Sequence, residues 1–384
     1  MAIQLDSRHR QAVILWYLLQ HSLSAWQRLF THFQQLDAIL APSAIKQWES
    51  LGIHAQHLKR LQAYHAGELD PALTELLERT ERHCDFVLLS DDANYPPQLL
   101  VYSDAPPLVF GQGNVQALSH PQVAMVGSRK PSAHGKQISY DFAYYLSQQG
   151  FFISSGLAEG IDAAAHEGGL KHQRTVAVVG TGLDLCYPQH HHTLQQRIVA
   201  QGGCVISEFL MGSKALQHHF PRRNRIVSGL SVGVIVVEAK QDSGSLITAR
   251  LAADQGKQVF AIPGHIYSES HKGCHALIRE GATLVDHPEQ VVQDLALPAQ
   301  WQSQHSLTAA HSTFSYDETE NEAQIPTHLF RLYQVLDWQG QNLDQLALAL
   351  QQPVAALTAE LMELELLGLC MQQSGRYIRC RQRV

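Results

Sequence analysis

The spacing of apolar residues divides the 384-residue chain into stretches of different type. From about Ser7 to His83 the apolar positions recur at helical spacing, with breaks at Pro42, Gly52 and Gly67. This pattern predicts a small bundle of short helices at the N-terminal end of the sequence.

From about residue 85 to residue 296, short apolar and β-branched runs alternate with segments of helical length. After an initial strand at Phe86–Leu89, the predicted strands are Val123–Val126, Phe151–Ser154, Thr175–Val179, Cys204–Ser207, Val232–Glu238, Val259–Pro263 and Thr283–Val285. The predicted helices include Gly135–Gln148, Ile161–Lys171, Leu194–Gln201 and Ser245–Gln255. Uniformly apolar strands that alternate with helices predict an α/β domain, a Rossmann-like, doubly wound and mostly parallel sheet covered on both faces.

The C-terminal part begins with residues 297–325, which are rich in Gln, Ser, Thr and His and predict a linker. Three helical stretches and a hairpin around Ser374-Gly375 follow, and these are the parts of a winged helix. We therefore expect four segments: a helical domain at 1–84, a Rossmann-like domain at 85–296, a linker at 297–325 and a winged-helix domain at 326–384.

Charge is distributed unevenly along a chain whose formal net charge is −7. Residues 120–312 carry 15 Lys and Arg against 14 Asp and Glu, whereas both ends are acidic. A polyanionic partner would therefore bind the middle of the chain. The pieces Leu51–Ile53 and His57–Tyr64 are typical of helix-hairpin-helix or SAM-like modules, but the acidic balance there favours packing or partner docking over contact with DNA.

The composition disfavours membrane, disulfide-bonded and metal-binding proteins. The chain has no run of about 18 uncharged apolar residues and no apolar block near its first residues, so we expect a cytoplasmic protein with no membrane partner. The six cysteines form no CxxC pair, which favours reduced thiols. His190–His192 lack an acidic or cysteine partner at ligand spacing, so we expect a polar loop and no metal site.

Glycines, hydroxyl groups and cations follow the predicted strands, and the carboxyl ends of parallel strands share one edge of a sheet. The residues concerned are Gly127, Ser128, Arg129, Lys130, Gly156, Thr181, Gly182, Phe220, Arg222, Arg223, Asn224, Arg225, Ser243, Gly244 and Ser245. Bare backbone N–H groups beside positive charge are typical of phosphate binding. The Gly180-Thr181-Gly182 run lacks the third glycine of a dinucleotide fingerprint, so by itself it is an ordinary α/β turn.

The densest part of this set is the stretch HHFPRRNRIVS, residues 218–228, with three arginines beside one phenylalanine. Pro221 disfavours helix at Phe220, and Asn224–Val227 are expected to open a short helix. A solvated basic turn is the alternative interpretation, because arginines also pair with carboxylates. Asp162 and His166, four residues apart on one predicted helix, are interpreted as structural.

Six ordered motifs closely resemble the DNA-processing protein A family. They are GSR at 127–129, SGLAEGID at 155–162, GTGLD with Tyr187-Pro188, FPRRNRIVSGLS at 220–231, SGSLITA at 243–249 and FAIPG at 260–264. The resemblance implies a single-stranded DNA-binding protein of natural transformation that protects incoming DNA and loads the recombinase RecA as a homodimer. A single-strand-binding protein is a further candidate partner.

The resemblance also implies that Arg129 contacts the DNA strand, and that the protein has no catalytic residue and no cofactor. Some relatives have a lysine directly after the Tyr-Pro pair, where this chain has Gln189; Arg197 or the neighbouring histidines are the candidate replacements. Part of the apolar run Ile226–Val237 is a candidate dimer surface, with the hydrophobic core as the alternative.

Three other classes of protein compete with this interpretation. A nucleotide hydrolase of the lysine-decarboxylase-like group shares a Rossmann frame, but only Asp242–Ser245 stands where its PGGxGTxxE pattern belongs. A dehydrogenase needs GxGxxG and an acidic residue about 20 positions further on, which the chain lacks. A transcription factor is disfavoured because the expected recognition helix, Pro353–Leu367, has three glutamates and no Lys or Arg.

Overall fold

The computed structural model describes residues 3–295, 325–338, 340–373 and 375–380. The described residues up to 295 belong to one compact unit and those from 325 onward to a second. Over these ranges no helix is both long and apolar enough to cross a membrane. The predicted linker lies almost entirely outside the described residues.

The first unit starts with helices, as the periodicity predicts. They are α1 (Ser7–Leu18), α2 (Leu23–Phe33), α3 (Leu36–Ile39), α4 (Ile45–Ser50), α5 (Ala55–His65) and α6 (Asp70–His83). Polar side chains define where two of them begin, because Asp6 accepts a hydrogen bond from the His9 backbone N–H and Ser22 from that of Ala25.

A sheet of nine strands forms the centre of this unit. Its strands are β1 (Phe86–Leu89), β2 (Leu108–Gly113), β3 (Gln122–Val126), β4 (Phe152–Ser155), β5 (Thr175–Val178), β6 (Cys204–Ser207), β7 (Ser231–Val236), β8 (Gln258–Ala261) and β9 (Thr283–Leu284). The helices among them are α7 (Pro97–Leu100), α8 (Ala133–Gln148), α9 (Ile161–Leu170), α10 (His192–Ala200), α11 (His219–Leu230), α12 (Ser245–Asp254), α13 (Lys272–Arg279) and α14 (Pro288–Asp294).

The strand order is β1-β2-β6-β5-β4-β3-β7-β8-β9. Strands β3 to β9 pair in parallel, while β1 and β2 add an antiparallel edge. The chain leaves β3 in one direction through β4, β5 and β6 and returns to its other side with β7. The point between β3 and β7 is therefore the topological switch point, where ligands of doubly wound sheets bind. The predicted fold class is confirmed.

Both faces of the sheet are buried, which explains the continuous apolar runs. Val123 and Met125 pack on the side of α8, while Ala124 and Val126 pack on the side of α11 and α12. At the β2–β6 end, the N-terminal helices cover the sheet and share its core through Trp16. The Trp16 indole N–H donates to the backbone oxygen of Glu208, 2.8 Å away.

The second unit contains α15 (Phe330–Val335), α16 (Leu343–Leu350), α17 (Val354–Leu366) and the antiparallel hairpin β10 (Cys370–Gln373) and β11 (Arg376–Arg379). Asn342 and Gln345 form a capping box at the start of α16. Leu332, Leu346 and Leu361 are among the side chains of its separate core. Three helices followed by a hairpin confirm the predicted winged helix.

One expectation about the stretch after residue 218 is wrong, and an alternative that the sequence leaves open is decided by burial. Helix α11 begins at His219, five residues before the predicted start, because Pro221 lies in the first turn, where a backbone N–H has no helical acceptor to lose. The apolar run Ile226–Val237 is core: Ile226, Val227, Leu230 and Val234–Val237 are at most 1% exposed. Of the two alternatives for this run, hydrophobic core and dimer surface, the burial of these residues supports the core.

Candidate nucleic-acid interface

The loops after β3, β4 and β5 meet the first turn of α11 at the carboxyl edge of the sheet. The ring of Phe220 lies beside Gly180, where an added Cβ would stand 3.4 Å from Phe220 Cδ1. The guanidinium of Arg129 lies over the same ring, 5.2 Å from its centroid. Tyr187 completes the group, with 5.5 Å between its ring centroid and that of Phe220. We call Arg129, Tyr187 and Phe220 the aromatic platform.

The platform is open to solvent. Arg129 and Lys130 are exposed, Tyr187 is 45% exposed, and Phe220 is half-buried. The backbone N–H of Lys130 donates to the hydroxyl of Ser128 at 3.1 Å, which fixes the turn that carries both cations. The two exposed cations can neutralise phosphates, and the two accessible rings beside them can stack on unpaired bases of the same strand.

The arginines of α11 point the other way. Glu208, whose side chain is fully buried, accepts hydrogen bonds from Arg222 at 2.9 and 3.0 Å and from Arg225 at 2.5 Å. Arg222 also donates to the backbone oxygen of His21, and Arg225 to that of Asp104. We call Glu208, Arg222 and Arg225 the internal ion cluster. It ties α11 to the turn between α1 and α2 and to the segment between α7 and β2.

Arg223 is buried beneath the loop after β4. It donates to the backbone oxygen of Gly156 at 2.9 Å, and Gly156 has no room for a Cβ because the guanidinium occupies that space. Burial lowers the pKa of Arg223, and the nearby Arg129 lowers it further while Asp162 opposes the shift. The Asp162 carboxylate accepts from the backbone N–H groups of Gly156 and Ala158 and so holds the same loop.

His166 has a structural role that does not involve Asp162. Thr175 donates its hydroxyl hydrogen to the Ile153 carbonyl, so the His166 Nδ1 contact of 2.7 Å requires that Nδ1 carry the proton. His166 Nε2 is then a buried acceptor, and burial lowers the pKa of His166 to about 3. The imidazole is thus neutral.

Of the other predicted site residues, Thr181 and Gly182 are buried, and the Thr181 hydroxyl donates to the Leu185 carbonyl. Gly127 and Asn224 are half-buried. Gly244 is exposed at the start of α12, between Ser243 and Ser245, whose hydroxyl oxygens are 2.5 Å apart. The assignment of these residues to a ligand stays a prediction.

The switch point itself is filled by a side chain of this protein. Glu238, which is 1% exposed, accepts hydrogen bonds from the backbone N–H and the hydroxyl of Ser132 at the N-terminus of α8. In dinucleotide-binding proteins this first helix N-terminus holds the pyrophosphate. A phosphate here would displace a buried carboxylate, which argues against a dehydrogenase.

Sequence reasoning missed two exposed residues at this edge. Tyr187 belongs to a sequence motif but not to the predicted site residues, although an aromatic residue in a loop that follows a strand can indicate base stacking. Lys240 follows β7, and the Glu238 carbonyl beside it accepts from Ser128 N–H at 2.7 Å. Lys240 is exposed and therefore adds a cation to the edge that carries Arg129.

Arg197 is not a free replacement for the absent lysine at Gln189. Its guanidinium makes two hydrogen bonds to Glu167, at 2.7 and 2.9 Å. Gln189 is exposed in a single 3-10 turn, and His190 lies 3.3 Å from Glu159. No group of three or more metal-ligating side chains occurs in the part of the chain that the structure describes.

The fold and this edge define a class: a doubly wound α/β protein with a cationic, aromatic strand-end surface and a separate winged helix. The family model for DNA recombination-mediator protein A matches residues 86–296, and that for the DprA winged helix domain matches residues 321–376. The chain belongs to the DNA recombination-mediator protein A family.

Similar proteins cover most of the sequence. Protein Smf of Escherichia coli is 36% identical over 335 residues, 87% of each chain. The X-ray structure of DNA processing protein A from Streptococcus pneumoniae has a TM-score of 0.65 and 33% identity, covering 78% of this chain and 100% of that one. That of the Helicobacter pylori protein, from work on its single-stranded DNA binding mode, has a TM-score of 0.50 and 30% identity, covering 54% of this chain and 95% of that one.

Proposed function

We propose that this protein binds single-stranded DNA, largely without regard to base sequence, in the processing of DNA during natural transformation. The observation that carries the proposal is the aromatic platform, in which Arg129 lies over Phe220 and Tyr187 lies beside it at the carboxyl edge of the sheet. Family membership and relatives described as DNA processing proteins support the same function.

The chemistry of the platform suits an unpaired strand better than a duplex. Stacking on Phe220 or Tyr187 requires a base whose face is free, and base faces are covered inside a duplex. Arg129, Lys130 and Lys240 supply charge for the phosphates that follow such a base. Ring faces and cations do not distinguish one base from another, so binding should depend little on sequence.

The test is a comparison of single-stranded and duplex oligonucleotides of matched sequence in a mobility-shift assay over a range of salt concentrations. Arg129→Ala should lower the slope of log affinity against log salt by about 0.7 for single strands, because one phosphate contact is lost. Phe220→Ala should cost about 1–3 kcal/mol of binding free energy if a base stacks there.

Lys171→Ala is the matched control, since Lys171 is an exposed cation at the C-terminus of α9, at the opposite edge of the sheet. It should bind DNA as the unaltered protein does. Wild-type affinity and salt slope in both Arg129→Ala and Phe220→Ala would place the DNA site elsewhere.

On the basis of the family resemblance, we propose more specifically that a homodimer of this protein protects the strand and loads RecA onto it. A single-strand-binding protein is a further proposed partner. Light scattering at micromolar protein tests the dimer, and RecA filament assembly on protein-coated single strands tests the loading. A monomeric mass, or assembly that the protein does not accelerate, would contradict these two steps respectively.

We further propose that the activity is binding without turnover, in the cytoplasm. Purified protein should hydrolyse no nucleotide under conditions in which it retards single-stranded DNA. Steady release of phosphate or of a nucleobase by the wild-type protein, together with its absence in the Arg129→Ala variant, would instead favour the nucleotide hydrolase.

A further inference from the structure

Helix α17 of the winged-helix unit is apolar on two opposite faces. Leu357, Leu361 and Leu364 are fully buried in the core of the unit. On the other side Met362 is 60% exposed and Leu366 is 89% exposed. Amphipathic surface helices normally place polar residues on the side away from the core. The second apolar face of α17 therefore needs an explanation other than folding of this unit.

The exposed apolar positions form a regular stripe. Ala355, Ala359, Met362 and Leu366 are all exposed and recur at spacings of four, three and four residues. This is the repeat of the apolar seam of a coiled coil, in which each side chain inserts between those of a facing helix. We call these four residues the α17 seam.

Carboxylates flank the α17 seam on both sides. At about 100° per residue, Glu363 and Glu365 lie on opposite sides of the stripe, where a coiled coil carries its charged e and g positions. Glu363 is 3.0 Å from His328 Nε2, and its side chain remains 47% exposed. Glu365 accepts from the backbone N–H of Gln372 at 3.3 Å and is also exposed.

These flanks disfavour three possible occupants. DNA is disfavoured because the third helix of a winged helix would bring carboxylates towards phosphates. A second α17 seam would place glutamates opposite glutamates. The chain's own residues 297–325 contain four acidic residues and no Lys or Arg, so they lack the complementary charge.

We propose that the α17 seam binds an amphipathic helix of a partner protein, with apolar residues facing Met362 and Leu366 and Lys or Arg on both flanks. The apolar contacts hold the pair together, and the charges select the partner. This surface is separate from the DNA edge in sequence and in chemistry, so the inference does not depend on the DNA-binding proposal.

The test uses the full chain and two synthetic helices of about 21 residues with identical leucine seams, long enough to form a stable pair. One helix carries Lys at its flanking positions and the other carries Glu. Fluorescence anisotropy should show binding of the Lys helix in clear preference to the Glu helix. Met362→Gln with Leu366→Gln should weaken that binding by about tenfold or more, since it removes the large apolar side chains.

Glu363→Lys with Glu365→Lys should reverse the preference between the two helices. Leu348→Gln is the matched control: Leu348 is 83% exposed on α16, outside the seam. All changed side chains are exposed, so thermal unfolding should be unaltered. Equal binding of both helices, or wild-type binding by the Met362, Leu366 variant, would overturn the proposal. A fall in mass on light scattering for that variant would show instead that a second copy covers the seam.

Discussion

Two arginine-bearing segments of this protein have similar sequence chemistry and opposite surroundings. In the segment 127–130, Arg129 is exposed and contacts an aromatic ring. In the segment 218–225, Arg222 and Arg225 converge on one buried carboxylate, with side chains 26% and 9% exposed. A cluster of arginines thus does not by itself mark a phosphate site. The number of carboxylates within reach decides whether their charge is available to a ligand.

The largest effect should come from breaking the internal ion cluster. Arg222→Ala with Arg225→Ala leaves Glu208 as a buried carboxylate without its partners, which should cost about 3–5 kcal/mol of unfolding free energy. Urea denaturation measures this cost, with Arg129→Ala as the control that should unfold at the wild-type midpoint. Equal midpoints for the two variants would show that the two segments do not differ as described.

A second effect should appear on acidification, because two histidines beside the internal arginines are held neutral. Burial and the charge of Arg222 lower the pKa of His21 to about 3, and burial and Arg223 lower that of His166 to about 3. Unfolded histidine takes up a proton near pH 6.5, so this stability is present above pH 6.5 and is lost as pH falls towards 3.

The expected loss is about 2–3 kcal/mol per histidine by pH 4.5. Unfolding free energies measured at pH 7 and pH 4.5 test it. The His166→Asn variant retains a hydrogen-bond donor towards Thr175, but its asparagine cannot be protonated. The unfolding free energy of this variant should therefore depend less steeply on pH than that of the wild type. An identical slope in variant and wild type would mean that His166 does not supply this pH dependence.

A third effect concerns the loop that Arg223 supports. A Cβ at Gly156 would overlap the Arg223 guanidinium, so Gly156→Ala should destabilise the protein by about 1–3 kcal/mol through overpacking. Gly244→Ala is the control, since an added Cβ there meets no atom within 4 Å. Similar melting temperatures for the two variants would contradict close packing of Arg223 beneath the loop.

The sequence predicts the elements well because burial on both faces of a parallel sheet leaves an unambiguous pattern. Strand Cys204–Ser207 has the predicted bounds, and the other parallel strands differ from prediction by one or two residues. The direction in which a side chain points cannot be predicted from its sequence neighbours in this way. Glu208 directly follows β6, yet nothing in its sequence neighbourhood reveals that its carboxylate pairs with Arg222, fourteen residues later.

In the candidate site, too, the local sequence predicts which loops carry the residues but not which side chains contact each other. Arg129 and Phe220 were predicted from loops that follow strands, because chain order fixes which edge those loops occupy. That the two side chains contact each other, and that Tyr187 joins them, depends on packing across β3, β4 and β5. Trp16 and His21 lie about 190 residues before their partners Glu208 and Leu210, beyond any local pattern.

The smallest effect should come from Lys240, the exposed cation that β7 adds to the edge carrying Arg129. Lys240→Ala should weaken single-stranded DNA binding by a few-fold and lower the salt slope by about 0.7, because it removes one phosphate contact and no aromatic stacking. Combining it with Arg129→Ala should lower the slope by about twice as much, because each change removes one phosphate contact. Lys171→Ala, at the opposite edge, should leave the slope unchanged. If Lys240→Ala and Lys171→Ala bind alike, the DNA site is confined to the aromatic platform, and the switch-point side of the edge contributes nothing to it.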